Sequence, residues 1–300
     1  MASPDNPQLE RQGPVEGELH STFEDNSSTF GLNRDGPAAT QVTVPASSEK
    51  PVWNGWDVLL IAVLTFVVVE LLQFAFAKAA QLLWYPRLNL GEAAQRVQDR
   101  PILLIILQFM VYVPVAALMI AWVEGKYHVS FWQSIHWNWP RSAWKLLALG
   151  GILLLVLNAL ENVLPMPKAT PFEKLFDRPL DSYLLAFIAI ALAPLMEELF
   201  FRGLLYPVLA RRLGAAWAVI LSALPFALLH LPQYGYAWAI VLMIFIVGVV
   251  CGVVRATTRS VAASVLVHVG YNGTQMLIAI FLTHGFTRMP KGVLEYFSGC

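Results

Sequence analysis

Charge is scarce in this 300-residue chain: 13% of its residues are Asp, Glu, Lys or Arg, where an ordinary soluble domain carries roughly a quarter. The 20 basic and 20 acidic residues cancel, so there is no basic excess to hold a nucleic acid. Cysteine is nearly missing. Its two copies, Cys251 inside an apolar run and Cys300 at the terminus, support neither a disulfide framework nor a Cys-based metal site. The alternating segments of roughly ten residues that mark a transmembrane β-barrel are absent. No internal repeat is visible, which argues against an inverted-repeat transporter. No basic start followed by an apolar core marks a secretory signal.

What the chain has instead is apolar length. Hydrophobic residues make up 57% of it and fall into blocks long enough to cross a bilayer. The fold class that follows is all-α, a polytopic transmembrane helical bundle of about seven to eight spans. Seven blocks run over 57–77, 101–123, 143–163, 183–212, 215–230, 236–254 and 261–282. An eighth arises if the fourth breaks near Pro194. Residues 1–52 differ in kind. They carry eight acids against three bases and are rich in Pro, Ser, Gly and Asn, a composition that reads as a disordered acidic tail. The transmembrane domain then covers 53–300.

Trp53 and Trp56 are expected as interfacial anchors of the first span, which also carries Glu70 and Gln73 one turn apart. The Trp-rich stretch Phe131-Trp132…Trp137-Asn138-Trp139-Pro140 is expected in the headgroup region. The proline-punctuated 165–174 stretch reads as a loop with a short interfacial helix. Arg211, Arg212, Arg255 and Arg259 cluster on one side of the last spans and are placed in the cytoplasm by the positive-inside rule. The short loops and Ala/Leu/Val-rich spans suit a bacterial inner (plasma) membrane.

The chemistry-bearing residues sit where charge is expensive, at ~2.5–3.5 kcal/mol for a charged side chain at the bilayer centre on insertion scales. In Pro194-Leu-Met-Glu-Glu-Leu-Phe-Phe-Arg-Gly203, Glu198 and Arg202 are i, i+4 and share a helix face. Glu197 points about 100° away. Arg202 is therefore assigned to neutralise Glu198, which frees Glu197 to face a cavity and exchange a proton. Pro194 removes an amide donor and can open the helix there. Further on, Phe226 and His230 share a face, and so do His268 and Asn272, with Gly270 between them permitting close helix approach.

Two carboxylates, an arginine, two histidines and an asparagine in three consecutive apolar regions can run acyl-transfer chemistry. A glutamate takes a proton from water and passes it to a leaving amine, and His268 and Asn272 serve as oxyanion donors. Glu197, His230 and His268 also supply the three N/O ligands of a catalytic zinc site, although no His-Glu-x-x-His helix is present. Catalysis without a cofactor and catalysis with zinc both stay open. No Gly-x-Ser-x-Gly supports a serine nucleophile, and Cys251 has no adjacent basic group. A proton-coupled carrier using the same residues as a relay and an idle scaffold or bacteriocin-immunity factor are the competing readings.

The ordered set Glu197-Glu198-x-x-x-Arg202, Phe226-x-x-x-His230 and His268-x-x-x-Asn272 resembles the three motifs of the CAAX prenyl endopeptidase type II family. That family is also called CPBP or the abortive-infection family. The resemblance covers about Tyr183 to Gln275. It implies an intramembrane glutamate-dependent endopeptidase in which Glu197 activates water, Arg202 holds Glu198, His230 assists, and His268 with Asn272 forms the oxyanion site. The implied partners are membrane lipid and a membrane-anchored or lipidated peptide, prenylated for the eukaryotic members. Metal dependence is a disputed property of that family.

Overall fold

The computed structural model describes residues 50–167, 170–172, 175–176 and 178–288. The acidic tail over 1–49, Cys300 and parts of the 165–174 loop lie outside the described residues. Among the described residues the architecture is helical throughout: α1 (Gly55–Leu83), α2 (Leu90–Gln98), α3 (Pro101–Tyr127), the single turn α4 (Phe131–Ser134) and α5 (Ala143–Glu161) come first. A continuous helical rod over 179–213 follows, and then α9 (Ala215–Leu228), α10 (Trp238–Thr258) and α11 (Val261–Leu282). Six of these helices are long and apolar enough to cross a membrane, which makes the chain an integral multi-pass membrane protein. The expected fifth span is the exception. α9 has 14 residues, or about 21 Å of helix at 1.5 Å per residue, against a hydrocarbon core of about 30 Å.

The rod over 179–213 does not break at Pro194. It is built as α6 (Pro179–Phe187), a π stretch (Ile188–Leu192), α7 (Ala193–Glu198), a second π stretch (Leu199–Leu205) and α8 (Tyr206–Leu213). A proline follows the end of each π stretch, at Pro194 and Pro207. In the i→i+5 register, residue 194 would donate to the carbonyl of Ala189 and residue 207 to that of Arg202. Proline has no N–H, so both carbonyls need another donor, which lipid does not supply. The donors are side chains of other helices. Asn272 Nδ2 on α11 reaches Ala189 O at 2.7 Å, and Arg255 Nε on α10 reaches Arg202 O at 3.1 Å. The π geometry, the prolines and these two polar residues form one arrangement.

α5 and α11 make the closest helix pair. A Cβ added at Gly150 would lie 2.1 Å from Val267 O, and one at Gly270 2.2 Å from Leu147 O, so only glycine permits this backbone approach. In the N-terminal half, buried Asp57 in the first turn of α1 accepts hydrogen bonds from Trp122, Lys126 and Tyr127 of α3.

Three surface assignments change. Trp56 is exposed, but Trp53 is fully buried and donates from Nε1 to Leu204 O at 2.9 Å, inside the second π stretch. Trp53 belongs to the core because a bonded indole is an inexpensive buried group. The Trp-rich stretch is half core as well: Phe131 and Ile135 are fully buried, whereas Trp139 is exposed. Its Asn138 is tied to Arg259 O and to the hydroxyl of Ser260, at the turn between α10 and α11. Arg255 does not belong with the surface arginines. It is fully buried, and its guanidinium lies over the Tyr206 ring, 5.4 Å from the centroid.

Candidate active site

Glu197 and Glu198 end α7 between the two π stretches, and as neighbours they diverge by about 100° around the axis. Glu198 is fully buried, and its Oε1 accepts from an Arg202 terminal nitrogen at 3.0 Å. The same oxygen lies 3.1 Å from His268 Nδ1. Arg202, equally buried, donates from its other terminal nitrogen to Gly248 O at 2.5 Å. Its guanidinium carbon sits 4.8 Å from the Phe226 ring centroid. A Cβ at position 248 would come within 2.9 Å of Phe226 Cδ1, so glycine there lets α10 present that carbonyl. The arginine thus joins a carboxylate, a backbone carbonyl and an aromatic face, three of the partners a desolvated guanidinium uses best.

Glu197 faces the other way. Its side chain keeps 26% of its surface open and lines a cavity of about 390 Å³ shared with Phe226, His230, His268 and Asn272. Its two oxygens lie 3.8 Å from His230 Nε2 and 3.8 Å from His268 Nε2. Those gaps exceed a hydrogen bond and suit a small bridging ligand such as water.

The outer ring nitrogens fix how each imidazole is oriented. His230 stands just past the end of α9, and its Nδ1 is 2.8 Å from Phe226 O, a helix-end carbonyl. A carbonyl only accepts, so Nδ1 carries the proton and, in the neutral ring, Nε2 offers a lone pair toward Glu197. His268 Nδ1 faces the Glu198 carboxylate, which likewise only accepts. Phe226 is the spacer. Its ring meets His230 at 5.1 Å and His268 at 5.6 Å, both edge-on, and Phe201 at 5.4 Å.

All seven residues singled out by motif therefore lie in one neighbourhood, but not in identical positions. Glu197, Phe226, His230, His268 and Asn272 line the cavity. Glu198 and Arg202 are buried behind it. Asn272 is not a free donor, because its amide nitrogen already serves Ala189 O and one N–H remains. Spacing within the sequence did not single out four further participants. Arg255 bonds Arg202 O. Cys251 lies with Glu198 and His268, their donor atoms within 4.8 Å of one another. Gln108 and Tyr112, one turn apart on α3, line the cavity from the N-terminal half. A charge one residue past the 236–254 block was the available signal for Arg255; no local pattern marks the others.

For a metal, the fit test turns on which nitrogens are free. His230 and His268 both spend Nδ1 on an oxygen and turn Nε2 toward Glu197, the orientation that ligating imidazoles take. Glu197, His230 and His268 thus match zinc ligands in donor type and direction, but their donor atoms do not all lie within 4.8 Å of one another, so a zinc ion would have to draw them closer. The Glu198–Cys251–His268 group fits less well, since Glu198 already faces a guanidinium cation.

A carboxylate held by arginine behind a second carboxylate that faces two imidazoles, inside a helical membrane bundle, defines an intramembrane site equipped for proton transfer. Residues 179–274 match the family model described as type II CAAX prenyl endopeptidase, Rce1-like. That segment of the chain is a domain of a CAAX-type protease family, and the enzyme class is that of a membrane protease. The match runs from α6 into α11 and contains every motif residue, while α1 to α5 fall outside it. No curated protein and no solved structure matches the chain.

Proposed function

We propose that this protein is a glutamate-dependent intramembrane endopeptidase that hydrolyses a peptide bond in a membrane-anchored substrate. The family description, a CAAX prenyl endopeptidase, makes prenylated peptides the leading class. The observation that carries the reading is the placement of Glu197 in a cavity, 3.8 Å from each of two imidazole Nε2 atoms. A water in those gaps gives up a proton to Glu197 while His230 Nε2 accepts its second O–H and fixes its direction. The water oxygen bonds to the scissile carbonyl carbon, and the carbonyl π pair moves to oxygen. His268, in its doubly protonated form beside Glu198, presents Nε2–H to that oxyanion, and the remaining N–H of Asn272 is the second donor. The C–N bond then breaks as the proton on Glu197 passes to the amine, leaving a new carboxyl and a new amino terminus.

Glu198 and Arg202 do not touch the substrate in this scheme. Arg202 compensates Glu198, and Glu198 holds His268 by Nδ1. A zinc ion bound by Glu197, His230 and His268 would supply a water of lowered pKa and polarise the carbonyl; the roles above use the chain's own residues alone. The reading is tested with the purified protein in lipid nanodiscs and prenylated, fluorogenic peptides anchored in the same disc. Cleavage by the native protein is expected, with none by Glu197→Gln of matched thermal stability. Equal cleavage by the two proteins refutes it. Repeating the assay in chelator, with metal analysis of the same sample, separates the zinc-assisted form from the metal-free one.

A further inference from the structure

A second carboxylate opens into the cavity and has no part in the scheme above. Glu161 is the last residue of α5 and lines the same cavity as Glu197. Its position is unfavourable on local grounds. A helix C-terminus carries about half a negative charge, and the last turn of α5 contains no basic residue. The Glu161 side chain makes no hydrogen bond or ion pair with any described residue. Half-buried, it has part of its hydration stripped away with no described partner in exchange.

The cavity it opens into has walls of the kind that hold a cation. Phe172, Tyr234 and Tyr271 line the cavity with it, and the Phe172 and Tyr234 rings stand 5.8 Å apart. Tyr271 is near enough to Glu161 to feel its charge. Aromatic faces beside a carboxylate bind Lys or Arg through ion pairing and cation–π contact together. The described lining of the cavity holds two glutamates and two histidines, and neither Lys nor Arg. No side chain of the described lining competes for Glu161.

We propose that Glu161, with the aromatic walls of Phe172, Tyr234 and Tyr271, forms a specificity subsite that takes a lysine or arginine side chain of the peptide substrate. The proposal rests on the endopeptidase reading and deepens it, since it names a feature of the sequence that reading would cleave. It also orients the substrate. A free terminal carboxylate is repelled by Glu161, so the cationic residue sits there and the chain terminus lies elsewhere.

The test is a charge swap. Prenylated fluorogenic peptides are prepared with Lys, Ala or Glu at each position in turn on both sides of the scissile bond. They are cleaved in nanodiscs by the native full chain and by Glu161→Gln and Glu161→Lys. The readout is the ratio of kcat/KM between peptides, so any loss of folded protein cancels. At one position the native protein is expected to favour Lys over Ala by roughly tenfold and to disfavour Glu, the scale of a close charge pair. Glu161→Gln is expected to flatten that preference, and Glu161→Lys to turn it toward Glu. Native protein indifferent to charge at every position, or Glu161→Lys still favouring Lys, overturns the subsite. If cleavage requires Glu197 while the charge swap does nothing, the subsite alone falls. If the native protein cleaves no peptide in the set, the endopeptidase reading falls and the subsite falls with it.

Discussion

Replacing Asn272 by Leu should cost stability for a reason that lies five residues before Pro194. The Asn272 amide donates to Ala189 O at 2.7 Å, the carbonyl that Pro194 leaves without a donor in the π register. Leucine keeps the approximate volume and removes the donor, leaving that half-buried carbonyl on the cavity wall without a protein donor. An unsatisfied buried acceptor costs about 1–3 kcal/mol, and the half-buried position of Ala189 on the cavity wall places the expected cost at the lower end, about 1–2 kcal/mol. Pro194→Ala restores a backbone N–H at the place that needs it. Alone, it should change stability by less than about 1 kcal/mol, because Ala189 O is already bonded and can accept twice. Combined with Asn272→Leu, it should recover about 1–2 kcal/mol, a coupling of the size seen between residues in direct contact. The measurement is reversible unfolding of the four proteins in detergent micelles, followed by tryptophan fluorescence. Activity adds a second axis. Pro194→Ala restores the stability of the Asn272→Leu protein but not its cleavage rate, because the second oxyanion donor is still missing. Strictly additive stabilities would refute the idea that Asn272 compensates Pro194.

The same logic applies to the second π stretch. Arg255→Met removes the donor to Arg202 O and should lower stability by at least about 1–3 kcal/mol, with partial recovery on adding Pro207→Ala in the same unfolding assay; no recovery would contradict it. Gly270→Ala places a Cβ 2.2 Å from Leu147 O, so α5 and α11 must separate, and a loss of roughly 1–3 kcal/mol or failure to fold is expected; native stability by thermal unfolding would contradict the close contact. Trp53→Phe keeps the ring and loses the bond to Leu204 O, for an expected cost of about 1 kcal/mol and no change in kcat; an unchanged Tm would place Trp53 back at the interface.

How much of this was legible beforehand follows from the range of each interaction. Spans are written in local composition, so the helical blocks could be read directly, apart from the 14-residue α9. Glu198 and Arg202 meet at i, i+4, and helix geometry alone puts Glu197 on another face. The long-range contacts were hidden. Nothing near His268 states that its Nδ1 will find Glu198, 70 residues away. Trp53 has the sequence context of an interfacial anchor, and its place in the core, bonded to Leu204 O 151 residues on, is a tertiary contact. The π stretches have no composition signature, although the prolines at 194 and 207 mark where carbonyls five residues earlier would need help. Arg255 was visible as a charge near a span end, where basic residues are common, and its burial depends on the tertiary position of Arg202 O and Ile135 O.

The account stands most directly on Glu197. Cells producing the native protein are compared with cells producing equal amounts of Glu197→Gln, and the new protein termini in their membranes are identified by mass spectrometry. The expected result is a set of cleavage sites near the membrane-anchored ends of substrates, present with the native protein and absent with Glu197→Gln. Identical termini in the two membranes, with both proteins folded and abundant, would contradict the claim that this carboxylate performs the hydrolysis.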